Sequence, residues 1–429
     1  MTSNPPLHGI PALYALLITQ ALSMIGSRMT VIGLGFWLFE RTHTTTPLLL
    51  AAFFTELPGM LLSSLAGAVV DRVPRKPVLI GTDAGLALCT LVLLAAIWTN
   101  TFSVPLLYTA ALIQGCISIF QGPAKEASLA LMIPAAQRDR MNGVQQMAFP
   151  FAGVVAPALT GLVYAVGGIA AIIAVDLSTF VLAAATLLCM SIPQPLASEF
   201  TDQGSSLWHD ARAGLRFLRQ QPGLLLLLLN SVVSCYLLNG SLEMTVPYVV
   251  TLTGSQATTG LVMMAMSLGA FTGGAIIAAR ANVQRRVRWM MVGGLLTALM
   301  YGVYGLTRSP WLLASALFLL LIPLPMGGAL MNSLLQSRVP PPLQGRIFAI
   351  SAQLGFIGST ASFLSIGPLV DRLLEPGIAQ PWWHFFAPLV GSQPGAGMAL
   401  LMVVTGVVMA VSTLLIWSAP SVRQLDAAE

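Results

Sequence analysis

The stretch AGAVVDRVPRKPVLIGTDAG, Ala66–Gly85, sets a knot of charge (Asp71, Arg72, Arg75, Lys76) between two apolar blocks, with a further acid, Asp83, inside the second block. Charged residues make up only 8% of the 429-residue chain, and 56% of it is hydrophobic. A soluble protein carries about 25% charged residues to keep its surface in water. The composition, with a mean hydropathy of +0.82, therefore places the chain in a bilayer. The knot reads as a short turn between two membrane spans.

Outward from that turn, apolar runs of about 20 residues, the length of a helix that crosses a bilayer, recur along the chain. They fall near 12–39, 47–70, 77–97, 104–123, 141–165, 168–192, 223–250, 257–279, 289–307, 310–337, 347–370 and 396–418. Runs of this length are helices, because lipid leaves the backbone no other local way to satisfy its polar groups. The fold class expected is all-α integral membrane: twelve transmembrane helices in two six-helix bundles. Pro58, Pro247, Pro323 and Pro325 predict kinks in spans two, seven and ten.

An even number of spans puts both termini on one side. The loops of that side hold Arg72, Arg75, Lys76, Lys125, Arg138, Arg140, Arg212, Arg216, Arg219, Arg280, Arg285, Arg286, Arg288, Arg338, Arg346 and Arg423, most of the 20 basic residues. Only Arg41, Arg308 and Arg372 lie opposite, with Arg28 inside a span. Positive charge marks the cytoplasmic side, so both termini are expected in the cytoplasm and the protein in the cell (inner) membrane. This topology accounts for the net charge of +5 without nucleic acid. The first apolar run is too long for a signal-peptide core and reads as a retained span. Cys89, Cys116, Cys189 and Cys235 lie inside apolar runs and read as buried thiols rather than a disulfide framework.

The one long cytoplasmic connection, 193–222, separates six spans (1–192) from six (223–429). In it Leu207, Trp208, Ala211, Leu215 and Leu218 recur at helical spacing opposite Arg212, Arg216 and Arg219, the pattern of an amphipathic helix lying on the inner leaflet. The halves echo each other. Pro134 and Pro340, Arg140 and Arg346, and Gly161 and Gly367 all stand at the same offset, 206. Parallel six-helix repeats are one transporter architecture.

Here the chain resembles the major facilitator superfamily, over nearly its whole length. The family's loop signature Gly-x-x-x-Asp-Arg-x-x-Arg-Lys/Arg is filled by Gly67, Asp71, Arg72, Arg75 and Lys76. The segments GLRFLRQQPG (214–223) and GPLVDRLLEPG (367–377) are similar to the macrolide-efflux and enterobactin-export branch. The resemblance implies a cytoplasmic gate. Asp71 would face the start of span eleven, where a helix N-terminus favours a carboxylate. Arg72 and Arg75 would pair with Glu126, and Asp83 would support the knot. The second half departs from this pattern, with Ala278 near the position of a matching acid. In span five APALTG (156–161) keeps Pro157 and Gly161 of an exporter motif but replaces two of its glycines.

A charge in hydrocarbon costs about 2.5–3.5 kcal/mol and needs a partner or a wet cavity. Arg28, Glu56, Asp83, Asp176 and Glu243 are the charges read inside spans. Glu56 and Glu243 are the first candidates for proton coupling, with Arg28 pairing or tuning Glu56 and Asp176 the more doubtful position. In the family, spans one, four, seven and ten line the cavity. Their polar stripes supply Gln20, Ser27, Gln114, Asn239, Asn332 and Gln336 as lining candidates, with interhelical hydrogen bonding the competing role for each. No phosphate-binding loop is present. His8, His43, His209 and His384 are scattered without metal-ligand spacing. The segment PWWHFF (381–386) reads as an interface anchor. The expected function is proton-driven export of an amphipathic small molecule by a monomer, with no enzyme activity, cofactor or metal. A metabolite importer or facilitator, and a non-transporting membrane sensor or scaffold, are the alternatives.

Overall fold

The structure is a computed structural model that describes residues 10–70, 73–132, 138–190, 216–280 and 283–427. Its main helices are α1 (Ile10–Thr42), α2 (Thr46–Val70), α3 (Arg75–Trp98), α4 (Val104–Met132) and α5 (Arg138–Cys189), then α6 (Pro222–Glu243), α7 (Thr245–Thr253), α8 (Gln256–Ala278) and α9 (Arg286–Leu306). They continue with α10 (Pro310–Leu321), α11 (Pro323–Arg338), α12 (Pro341–Leu369), α13 (Ala396–Ser418) and α14 (Pro420–Ala427).

Among the described residues, 10 helical segments are long and apolar enough to cross a membrane, and a shorter apolar helix spans Thr46–Leu62. One of the 10, Pro150–Cys189, has 40 residues. At 1.5 Å per residue that is about twice the thickness of the hydrocarbon core. It turns at Gly168 (φ 60°, ψ −159°), a backbone conformation that only glycine adopts without strain, and so supplies spans five and six. Counted this way, the helices make the twelve crossings of a multi-pass membrane protein.

Two of the expected kinks are breaks. Span seven is interrupted at Met244, where α6 gives way to α7, with Pro247 in the first turn of α7. Span ten breaks at Ile322, and Pro323 opens α11. A proline lacks the N–H of a helix interior but fits a first turn. Pro58 lies inside α2, which continues to Val70.

By their contacts the helices fall into two units. One comprises Met1–His43 and Leu50–Thr201, the other Thr44–Leu49 and Asp202–Glu429. In the first, α1 packs along α5, and α3 on α4 and α5. Met29, Phe36, Ile172 and Ile173 are fully buried there. In the second, α9 packs on α13, α8 on α10 and α6 on α12, around Tyr248, Tyr301, Tyr304, Leu317 and Met402. Within lipid the gain from such cores is close packing rather than escape from water. Outward-facing residues such as Val166, Leu299, Trp311 and Leu415 are exposed apolar side chains, as a lipid-facing surface requires.

Residues 193–215 of the connecting segment, including Trp208 and Arg212, lie outside the described residues. Just beyond them Arg216 and Arg219 are exposed, but Leu218 is buried against Leu224, Val287, Val339 and Val422, so it faces protein rather than lipid. The four cysteines are unbridged, and Cys189 is exposed rather than buried. In PWWHFF, Phe385 is exposed, whereas Trp383 is buried in the core of the second unit and donates its indole N–H to the Gly391 carbonyl at 2.8 Å. Trp383 is therefore an interior packing residue, not an interface anchor.

Candidate functional site

Each unit contains its own cavity. That of the first unit, about 340 Å³, is walled by polar residues on five helices, Thr55 of α2 among them. From α1 come Gln20, Ser23, Ser27 and Thr30; from α3, Asp83 and Thr90; from α4, Gln114, Ser118, Gln121 and Lys125; from α5, Asp176. The steps of three and four residues within α1 and α4 keep each set on one helical face. The second arm of α5 adds Asp176 because the turn at Gly168 brings it back along α1.

Two carboxylates anchor this wall. Asp176 is buried and accepts hydrogen bonds from the Ser27 hydroxyl at 3.2 Å and the Thr30 hydroxyl at 2.8 Å. The close approach of the two helices depends on Gly26. A Cβ there would lie 2.5 Å from Thr179 Oγ1 and 2.9 Å from Asp176 Oδ1. Asp83, also buried, accepts from the Gln121 side-chain amide. Gln20 is a second side-chain hydrogen-bond partner, and Lys125 interacts with Asp83 electrostatically. Asp83 therefore lines a cavity and does not merely brace the loop, and Asp176 belongs to the wall although span six was not expected to contribute.

Lys125 is a cavity residue that the sequence reading did not select. It was assigned to a cytoplasmic loop, but α4 runs on to Met132 and carries Lys125 into the cavity wall. The signal was present: Gln114, Ser118, Gln121 and Lys125 continue one stripe at steps of four, three and four.

The other coupling candidates fall elsewhere. Arg28 and Glu56 are half-buried, and neither is among the cavity-lining residues. Glu243 ends α6 in an exposed position and is not part of the second unit's cavity wall. Of the expected gate residues, Asp71 and Arg72 lie outside the described residues, as do the side chains of Arg75 and Glu126. Gly67 lies in the last turn of α2. Lys76 donates to the carbonyls of Leu188 and Met190, placing its ammonium at the end of α5, where a helix C-terminus favours positive charge.

The cavity of the second unit, about 440 Å³, is neutral. Asn230, Ser231, Ser234 and Asn239 of α6, Asn332 of α11 and Ser351 of α12 are its main polar groups, among apolar neighbours such as Met290, Met331 and Met409. Asn230 Oδ1 and Thr413 Oγ1 are buried there without a hydrogen-bond partner. Of the lining candidates, Gln20, Ser27 and Gln114 face the first cavity and Asn239 and Asn332 the second. Gln336 is exposed and absent from that wall.

Residues 16–363 match the family model described as Major Facilitator Superfamily. Macrolide efflux protein A of Streptococcus pyogenes is 26% identical over 387 residues, which cover 87% of this chain and 92% of that protein. Multidrug efflux pump Tap of Mycolicibacterium fortuitum is 24% identical over 359 residues, covering 81% and 86%. Among solved structures, a bacterial homolog of the human lysosomal transporter Spinster superposes with a TM-score of 0.69 at 14% identity, covering 97% of this chain and 96% of that one. A bacterial homologue of the iron transporter ferroportin gives 0.68 at 12% identity, covering 95% and 99%. These two structures share the fold.

Proposed function

The chain belongs to the Major Facilitator Superfamily, and from that premise we propose that it exports amphipathic small molecules against a proton gradient by alternating access. The efflux proteins that align over most of its length support the direction and the substrate class. The two units would be the six-helix bundles that move against each other. With most basic loop residues on one side, both termini lie in the cytoplasm of a cell whose inner membrane the protein spans. It works as a monomer, and its substrate and protons are its only partners besides lipid.

The observation that carries the coupling mechanism is the cavity wall around Asp176. Its two partners, Ser27 and Thr30, are neutral hydroxyls. A hydroxyl donates to a carboxylate, and it can rotate to accept from a carboxylic acid. Asp176 can therefore gain and lose a proton without stranding a counter-charge, whereas a fixed ion pair would resist the change. Asp83, with Gln121 and Lys125, is the second acid open to the same cavity. These two replace Glu56 and Glu243 as coupling residues. A cationic or hydrogen-bonding cargo and a proton then compete for one set of carboxylates, which is the minimum that an antiporter needs.

The test is flux of a lipophilic cation or a macrolide in proteoliposomes under an imposed pH gradient. Wild type should accumulate cargo in proportion to the gradient, and Asp176→Asn and Asp83→Asn should each lose that dependence. A wild type indifferent to the gradient removes proton antiport. Two mutants that follow it like wild type remove the assignment of coupling to these acids.

A further inference from the structure

The turn between spans eight and nine lacks the acid of the loop signature between spans two and three, and arginines fill it instead. Arg280, Arg285, Arg286 and Arg288 stand within nine residues. A positive-inside bias accounts for basic charge in such a turn. It does not account for the way the structure arranges these four, nor for the residues beneath them.

The turn joins α8 to α9, both long and apolar enough to cross a membrane. Their ends at Ala278 and Arg286 therefore set it at a bilayer surface. Arg280, Arg285 and Arg288 are exposed. The Arg280 guanidinium lies over the Trp289 ring, 5.6 Å from its centroid, within cation–π range. Such stacking uses the flat face of the guanidinium and leaves its N–H edge open. Arg286 has another use, donating to Ser337 Oγ at 3.1 Å. The turn also meets an acid, Asp426, whose carboxylate accepts from the Val287 and Arg288 N–H groups, each at 2.9 Å. Those bonds tie it to the start of α9, and the three exposed guanidinium groups outnumber it.

Arg285 holds φ 56° and ψ 53°, in the left-handed region that glycine occupies freely and side chains avoid. An arginine kept in that backbone position points to a use for its side chain.

Below the turn, α9 carries an apolar ridge. Arg288, Val292 and Leu299 follow at steps of four and seven, on one helical face, with Trp289 beside them. Trp289 is 45% exposed, Val292 42% and Leu299 62%, whereas Ala298 and Tyr301 are buried on the side that packs against α13. From Arg288 to Leu299 the helix rises about 16 Å, half the thickness of the hydrocarbon core and so the depth of one leaflet. A ridge as long as an acyl chain runs down from a cluster of phosphate-binding groups.

From this juxtaposition we propose that the α8–α9 turn is a binding site for an anionic phospholipid. The phosphodiester sits on Arg285 and Arg288, with Arg280 as a third donor, and one acyl chain lies along Trp289, Val292 and Leu299. Guanidinium forks take phosphate oxygens in pairs. A zwitterionic headgroup brings its own cation, which the arginines repel, so the site selects a lipid of net negative charge. It lies wholly within the second unit and needs neither transport nor proton coupling, so a protein without flux keeps it.

Native mass spectrometry of the full chain in a neutral detergent, titrated with dioleoyl phosphatidylglycerol, reads the first bound lipid. Wild type should bind it at least tenfold more tightly than dioleoyl phosphatidylcholine, and equal affinities overturn the site. Arg285→Gln with Arg288→Gln should weaken phosphatidylglycerol about twenty-five-fold, about fivefold for each cation at a headgroup. An unchanged affinity in that variant overturns the proposal. Arg216→Gln with Arg219→Gln removes the same charge elsewhere in the second unit and should leave the first affinity as in wild type. A loss as large as in the other pair means diffuse surface charge, not a site. Val292→Ser with Leu299→Ser should weaken the lipid about threefold. Inorganic phosphate at matched ionic strength should not displace it, and displacement makes the turn a free-anion site. Should the double arginine variant fail to fold, Arg288→Gln alone is read in its place: a loss of about fivefold supports the site, and no loss overturns it.

Discussion

The two units enclose cavities of comparable size, about 340 and 440 Å³, but deploy their acids in opposite ways. In the first unit Asp83 and Asp176 face the cavity: Asp83 is met by the Gln121 amide and the charge of Lys125, and Asp176 by the hydroxyls of Ser27 and Thr30. In the second unit Glu375 and Asp426 are bound by backbone N–H groups at the starts of helices, and Asp371 by the N–H groups and hydroxyls of Thr45 and Thr46. An acid held by side-chain hydroxyls and amides keeps partners that can reorient as its proton comes and goes. An acid held by N–H groups has partners that only donate, so its anionic form is the one the site selects. In the proposed mechanism the first cavity responds to protons, and the second offers a surface of neutral polarity. In the proposed mechanism the second unit's cavity, with an unpartnered Asn230 carbonyl among methionines, takes the apolar, hydroxyl-bearing part of a cargo.

That comparison can be broken most directly at Asp176. Asp176→Asn keeps the shape and hydrogen bonds but removes the titrating group, and gradient-driven export should fall about a hundredfold, the scale of a lost proton-transfer group. Retained coupling would end the contrast between the units. Gly26→Leu tests the geometry beneath it. The added side chain must displace Thr179 and Asp176, so thermal unfolding in detergent should show a loss of about 2 kcal/mol, as for other overpacked interfaces. Asn230→Leu sharpens the other side. It removes one hydrogen bond to cargo, so a binding titration should weaken about fivefold while the dependence on the pH gradient stays as in wild type; an uncoupled Asn230→Leu would place coupling in the wrong unit. The smallest effect belongs to Asp426→Ala, which removes an acidic helix cap. It should lower stability by about 1 kcal/mol and leave flux unchanged, showing that the second unit's acids do not serve coupling as the first unit's do.

The twelve spans and their helical nature were legible along the chain, because bilayer thickness and the helical period act on residues near one another in sequence. The polar stripes Gln20–Ser23–Ser27–Thr30 and Gln114–Ser118–Gln121 were legible for the same reason, and Lys125 could have been added by following the second stripe one step further. Depth along a span also gave Glu56 and Glu243 their place as candidates. Depth says nothing of the direction in which a side chain points around the helix, and there the candidates changed.

Sequence alone therefore determined that this chain is a helical membrane protein, how often it crosses, and which face of each helix is polar. Tertiary structure decided which polar faces meet. Asp83 lies 38 residues from Gln121, Asp176 lies 149 and 146 from Ser27 and Thr30, and Asp371 lies 326 from Thr45. No local period encodes contacts over such separations. They follow from a glycine at 168 that turns one long helix back, and from glycines at 26 and 367 that let helices approach closely enough for an acid to reach its donors.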